Sequence, residues 1–247
     1  MERARRGLAL PELFLGLLAI AVAVVLTAHS VTGVIRDRQH VHDTLSVTGS
    51  ARKPISANLV RWSLTVRQTA PSVARAAGRL RADVTAVQGF LRSAGIPAEA
   101  ISPAVVTSEE VVTLLPGHRR LVRYRVSQRI DVRTRQIDVV EPVARRIGVL
   151  LERGIDVSAR PLRYLSTELT QAKLDALPAA TEDARRRAEL IVKGLRGKLG
   201  AMRSSTLGVY QVTPRDSTDV SDYGINDTTS REKDVIAVVR ATFAVER

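Results

Sequence analysis

Charged side chains are absent between Glu12 and Arg36, which leaves an uncharged window of 23 residues, Leu13–Ile35. Its inner part, Leu13–Leu26, is apolar throughout apart from Gly16. A bilayer core of ~30 Å needs about 20 helical residues, so the window has the length of a transmembrane helix. From there on the pattern shortens to period two. In Asn58–Gln68, Val60, Trp62, Leu64 and Val66 share one face, and Arg61, Ser63, Thr65 and Arg67 the other. This predicts a strand with one wet face. Pro71 then suits a first helical turn, and Val73, Ala77, Leu80, Val84, Val87, Leu91 and Ala94 make one apolar stripe that stops at Gly95-Ile96. Strands are predicted at about 103–114 and 119–133, joined by Pro116-Gly117.

A second helix is expected over about 136–153, with Ile137, Val140, Ala144, Ile147 and Leu151 on one side, and it ends at Gly154-Ile155 as the first ends at Gly95-Ile96. A strand over about 157–168 leads to a long helix over about 170–199, in which Pro178 predicts a kink or break. Strands over about 204–213 and 233–245 follow. The chain therefore reads as two similar halves, 58–133 and 157–245, each strand, long helix, strand, strand. Hairpins and wet strand faces predict antiparallel sheet with helices on one side, an α+β fold. The polar segment 214–231 has no period and is expected to be a mobile hairpin loop, with a ligand loop as the alternative.

Charge changes the picture next. The chain of 247 residues carries a net charge of +13. The stretch 182–200, EDARRRAELIVKGLRGKLG, is the most basic helix and raises the question of nucleic acid. Its acids stand four residues from its bases: Glu182 and Arg186, Asp183 and Arg187, Arg185 and Glu189, Glu189 and Lys193. Such pairs face each other and contribute ~0.2–0.5 kcal/mol each. With Ala184, Ala188, Ile191, Leu195 and Leu199 as its buried stripe, the stretch reads as an ordinary solvated helix.

Topology bears on the same question. Arg3, Arg5 and Arg6 precede the apolar window, which favours a cytoplasmic N-terminus and an exported remainder. An uncleaved signal anchor and a cleaved signal peptide both fit this; Leu26, where a cleavage site wants a small side chain, favours the anchor. The expected organisation is a cytoplasmic end at 1–12, an anchor at 13–35, a linker at 36–42 and an exported domain at 43–247. The first 12 residues hold three Arg and two Glu, so the rest carries +13 − 1 = +12.

Candidate chemistry is sparse. The absence of cysteine excludes disulfides, thiol catalysis and Cys-ligated zinc. His40-x-His42 could share a strand face but reads as a solvated linker pair. Glu109 and Glu110 are adjacent in a strand and point to opposite faces, which spoils them as an acid/base pair. Gly194-Leu195-Arg196-Gly197 lacks the spacing of a phosphate loop. No catalytic residue, metal ligand or cofactor site is expected. One surface stands out: Arg123, Arg125, Arg129 and Arg133 line up on the wet face of the 119–133 strand as a candidate anion-binding ladder.

The order of short motifs is similar to that of the SIMPL-domain family of bacterial cell-envelope proteins, over roughly residues 43–246. Leu45–Ala51 (LSVTGSA) resembles the family's opening strand. Ala57–Val66 stands where the family has Pro-Asp before an alternating strand, here with Ala57-Asn58 instead. Leu91–Ile96 with Ile101-Ser102, Tyr124–Val132, and Ala184–Leu190 with Lys198-Leu199-Gly200 resemble its later motifs. The resemblance implies a periplasmic or surface-exposed α+β domain without established catalytic residues, in a family linked to envelope immunogens, oxidative-stress defence and ring-like oligomers.

The expectation is therefore a non-enzymatic, single-pass protein of the cytoplasmic membrane whose exported SIMPL-like domain serves in assembly or binding. Its expected partners are the membrane through 13–35, further copies of itself, and anionic envelope polymers or lipid headgroups. No nucleic acid is expected. The alternatives are a nucleic-acid module, which needs the domain in the cytoplasm, and an envelope hydrolase using paired carboxylates.

Overall fold

The computed structural model describes residues 43–116 and 119–246. The expected anchor 13–35, the linker 36–42 with His40 and His42, and His118 lie outside the described residues. Among the described residues no helix is long and apolar enough to cross a membrane. The elements run β1 (Thr44–Ser56), β2 (Leu59–Ala70), α1 (Val73–Ser93), β3 (Ile101–Leu115), β4 (Arg119–Thr134), α2 (Ile137–Arg145), α3 (Gly148–Glu152), β5 (Val157–Ala159), β6 (Arg163–Leu165), α4 (Leu169–Gly194), β7 (Lys198–Leu207), β8 (Gln211–Pro214) and β9 (Glu232–Glu246). Two compact units divide them. The larger holds Ser50–Thr181 and Leu207–Val239; the smaller holds the described residues up to Gly49, Glu182–Thr206 and those from Arg240 on.

In the larger unit a five-stranded sheet has the order β3-β4-β2-β5, with β6 also pairing β2. β2 and β4 are antiparallel, with Trp62 opposite Val132 and Leu64 opposite Ile130. The alternation predicted for both strands is observed: Val60, Trp62, Leu64, Val66, Val126, Ile130 and Val132 are buried in one core with α1. On α1 the buried positions are Ala76, Leu80, Val84, Val87 and Leu91. Val73 is exposed, and Ala76 takes the place expected of Ala77. Ser72, not Pro71, opens the helix, its hydroxyl accepting from the Arg75 N–H. Gly95 (φ 93°) closes it: its own N–H bonds Arg92 and the Ile96 N–H bonds Leu91, a Schellman motif. Gly154 (φ 79°) and Ile155 repeat that motif after α3.

The helix expected over 136–153 is two. Around Arg146 and Ile147 the N–H groups reach back three residues, to Val143 and Ala144, which tightens the turn and separates α2 from α3. The strand expected over 157–168 is likewise two short strands, β5 and β6, and both add to β2. The second sheet, ordered β1-β9-β7 with β8 also on β9, takes its outer strand from β1 instead. The two halves do echo each other, as β2-β4-β3 and β1-β9-β7, but the first strand of the second set comes from the start of the domain.

Helix α4 runs unbroken through Pro178 and ends at Gly194, and the expected helical segment 195–199 instead contains a turn and the start of β7. Its buried positions stand four apart: Ala172, Ala176, Ala180, Ala184, Ala188 and Val192. In the smaller unit Ala184 and Ala188 pack on Val47, Ala241 and Phe243. In the larger unit Ala176 and Ala180 pack on Ala237 and Val239. Alanine brings helix backbone close to sheet, which a stripe of leucines would prevent. Ile191 and Leu195, expected in the stripe, are exposed. Of the four expected charge pairs, Asp183–Arg187 at 2.8 Å and Arg185–Glu189 at 3.0 Å form.

The α4 terminus is a third Schellman motif, with the Gly197 N–H on Val192 and the Arg196 N–H on Lys193. Here the left-handed residue is Arg196 (φ 60°), a conformation that strains any side chain. Arg196→Gly is expected to raise stability by about 0.5–1 kcal/mol, the relief of strain exceeding the entropy glycine adds to the unfolded chain. A urea melt of the two proteins checks this.

The segment expected to be a mobile loop does join β8 to β9, but it is bound down. Ile225–Asp227 run along β8: the Val212 N–H donates to Ile225 and the Asp227 N–H to Val212, both carbonyls accepting. Asp227 then accepts from the Thr229 N–H and hydroxyl, the Ser230 N–H and the Lys233 ammonium at 2.8 Å. Lys233 also donates to the Asp227 carbonyl at 2.7 Å, and only 3% of its side chain is exposed. Ser217, Ser221 and Asp227 of this loop accept from its own backbone N–H groups.

Candidate functional site: an arginine trough on the sheet

The face of the five-stranded sheet opposite its core is built by the alternate residues of β2 and β4 and by the short strands that flank them. Arg61 lies opposite Arg133 of β4 on one side and Arg163 of β6 on the other, so three arginines stand in one row across three strands. Like charges directly opposite destabilise a sheet. In the next row Ser63 faces Asp131, and the backbone N–H of Arg160 bonds the Ser63 carbonyl. Beyond that Thr65 faces Arg129. All of these but Thr65 line a trough of about 450 Å³. It adjoins a second hollow of about 350 Å³ lined by Ser63, Thr65, Thr107, Ser127, Arg129 and Arg160.

Five arginines thus line the trough against one acid, Asp131. Asp131 is already engaged: it accepts from the Ser63 hydroxyl at 2.6 Å and from Arg129 at 2.9 Å. The side chains of Arg61, Arg133, Arg160 and Arg163 make no hydrogen bond or ion pair among the described residues. The trough can therefore offer several guanidinium groups, each with a planar set of donors suited to carboxylate or phosphate oxygens. In the adjoining hollow the Thr65 hydroxyl adds a neutral donor and acceptor, while Ser63 is bonded to Asp131 and the hydroxyls of Thr107 and Ser127 bond each other at 2.8 Å.

Of the four arginines expected as a ladder, the structure brings Arg129 and Arg133 into the trough. Arg125 is held by Glu109 at 2.8 Å. Arg123 sits opposite Val111, where the β3–β4 hairpin has run past the end of β2. Arg61, Arg160 and Arg163 stand outside the ladder that the sequence suggests. Arg61 shows the right alternation, but strand pairing alone puts it beside Arg133, and β6 is only three residues long.

A second, more apolar cavity of about 570 Å³ shares Trp62, Arg160 and Pro161 with the trough and is also lined by Ala144, Leu162 and Tyr164. The Tyr164 hydroxyl donates to Glu141 at 2.9 Å. Burial first, and the negative charge of Glu141 with that bond second, push the phenol up to about 12. Among the described residues no cluster of three His, Cys, Asp or Glu is placed to hold a metal ion. Glu109 and Glu110 sit opposite Arg125 and Tyr124 respectively, at separate positions of the hairpin.

The sequence model of the SIMPL family, described as protein of unknown function (DUF541), matches residues 45–243. The chain belongs to the SIMPL family. A search of curated proteins finds no match. The SIMPL match begins in β1 and ends in β9, so it takes in both sheets and every element of the trough. It assigns no function to any residue of this SIMPL domain.

Proposed function

We propose that this protein is a non-catalytic binding component of the cell envelope, anchored in the cytoplasmic membrane by residues 13–35, whose exported SIMPL domain holds a linear anionic polymer in the arginine trough. The observation that carries the reading is the cross-strand row Arg163–Arg61–Arg133, which has no carboxylate of its own. Such a row weakens the free sheet and is relieved when an anion lies across it. The trough runs along the strands and offers guanidinium groups rather than a positioned acid and base. A nucleic-acid role needs the domain in the cytoplasm, and an envelope hydrolase needs two close carboxylates where the trough has only Asp131.

The test uses the full chain in detergent and a polyglycerol phosphate chain as the probe. The wild type is expected to bind with an affinity that falls steeply with salt. Replacing Arg61 and Arg163 together by Gln is expected to weaken binding and flatten the salt dependence by about two counterions, as loss of two phosphate contacts does for any dense polyanion. Unchanged binding in that variant would sink the assignment. A reporter fused after Arg247 tests the topology separately; activity on the cytoplasmic side would overturn the envelope reading.

A further inference from the structure

We propose that the far end of the β3–β4 hairpin, 111–115 with 119–123, is a membrane-contacting element that seats among anionic lipid headgroups. Strand β2 accompanies β4 only as far as the pair Ala70–Tyr124. Beyond it, β3 and β4 continue alone as a ribbon through five further pairs, from Val111–Arg123 to Leu115–Arg119. At ~3.4 Å per residue the last pair stands about 17 Å beyond the three-stranded region, enough to enter a headgroup layer to the ~5–10 Å typical of interfacial segments.

Its composition fits that surface. Val111–Pro116 and Arg119–Arg123 together carry six Val or Leu and three Arg, with no Asp or Glu. Leu114 is 74% exposed, and Val112, Leu115, Leu121 and Val122 are exposed as well. The register distributes these over both faces. Val112, Leu114, Arg120 and Val122 share one; Val111, Thr113, Leu115, Arg119, Leu121 and Arg123 share the other. A protein partner docking on the ribbon would cover one face and leave the other wet. An interfacial lipid layer surrounds both, and takes the aliphatic groups while the arginines reach up to headgroup phosphates. The ribbon has no aromatic side chain on which a nucleobase could stack. The inference is independent of the trough, and a failure of polymer binding leaves it standing.

The absence of cysteine makes the test direct. Leu114→Cys in the full chain is labelled with an environment-sensitive fluorophore and the protein is incorporated into vesicles of phosphatidylglycerol or of phosphatidylcholine. Because residues 13–35 can carry the chain to either vesicle, the readout is the label and not co-flotation. Expected are a blue shift and quenching by doxyl-labelled lipid in phosphatidylglycerol, with loss of both when Arg119 and Arg120 are also changed to Glu. The same label on Tyr223→Cys, at another fully exposed position, is expected to stay unquenched. A Leu114 label that remains in water on phosphatidylglycerol overturns the proposal. So does a shift that ignores lipid charge and grows with protein density, which would mark the ribbon as a contact between copies of the chain.

Discussion

Replacing Lys233 by methionine is expected to lower the unfolding free energy by about 3–5 kcal/mol, the range found when one partner of a buried ion pair is removed. Methionine keeps the length and much of the volume of the lysine stem. What it deletes is the ammonium that bonds both the carboxylate and the carbonyl of Asp227. The carboxylate is left 7% exposed, with donors from Thr229 and Ser230 but no countercharge. The loop end that Asp227 organises is expected to open with it, since the Asp227 N–H is one of the bonds that hold the loop to β8. Changing Asp227 to Asn in the same chain removes the stranded charge and is expected to recover part of the loss. Urea unfolding of the three proteins at neutral pH measures both steps; a single variant within 1 kcal/mol of the wild type would show that the pair is not buried in solution.

The same pair fixes the sign of the acid response. Burial acts to raise the pKa of Asp227, but the bonds from Lys233 and Thr229 outweigh it and hold the carboxyl below the ordinary range. A group depressed in the folded state stabilises fully above its unfolded pKa of about 3.9, and the contribution fades as pH falls below that value. Wild type is therefore expected to lose stability below about pH 4. In Lys233→Met the Thr229 bonds remain but the bond and charge of Lys233 no longer offset burial, so less of the variant's stability depends on an ionised Asp227, and the gap between the two proteins narrows toward low pH.

Much of the fold was legible because it rests on strong periods. β2 and β4 alternate between buried aliphatics and polar residues, and Gly95 and Gly154 close their helices as glycine should. β1 is not legible from pattern: of its 13 residues only Val47 and Gly49 are buried, and its small and polar side chains give no contrast. On α4 the stronger hydrophobes, Ile191 and Leu195, point sequence reasoning to the wrong stripe, while the sheet accepts alanine there for its size. The helix end is hidden in the sequence because Arg196 occupies the left-handed position that a glycine would mark. The site divides the same way. Alternation along β4 exposes Arg129 and Arg133 to inspection, but their neighbours Arg61 and Arg163 come from strands distant in sequence and meet them only through strand register. The Lys233–Asp227 pair left no signal at all, since a polar loop reads as solvated until its partners are known.

Trp62→Ala is expected to cost about 3–5 kcal/mol, comparable to the loss of the ion pair but by a different route. Trp62 is 2% exposed, lies opposite Val132 in the sheet, and belongs to the same core as Leu64, Leu80 and Ile130. Truncation removes the largest apolar group of the chain and leaves a void that stiff strands on a paired sheet close only in part. The void would open beside Pro161 and Arg160, since Trp62 lines both the apolar cavity and the arginine trough with them. Trp62→Phe keeps a ring in the same place and is expected to lose markedly less. Because this is the sole tryptophan, the wild type reports its own unfolding by a red shift of indole emission, and the variants are followed by circular dichroism. If the alanine variant unfolds within 1 kcal/mol of the wild type, Trp62 is not the packed centre of this sheet. If it is destabilised as expected, polyanion binding measured well below its melting point separates the roles: retained affinity would mean that the arginines are positioned by strand pairing, and a parallel loss that they depend on the core behind them.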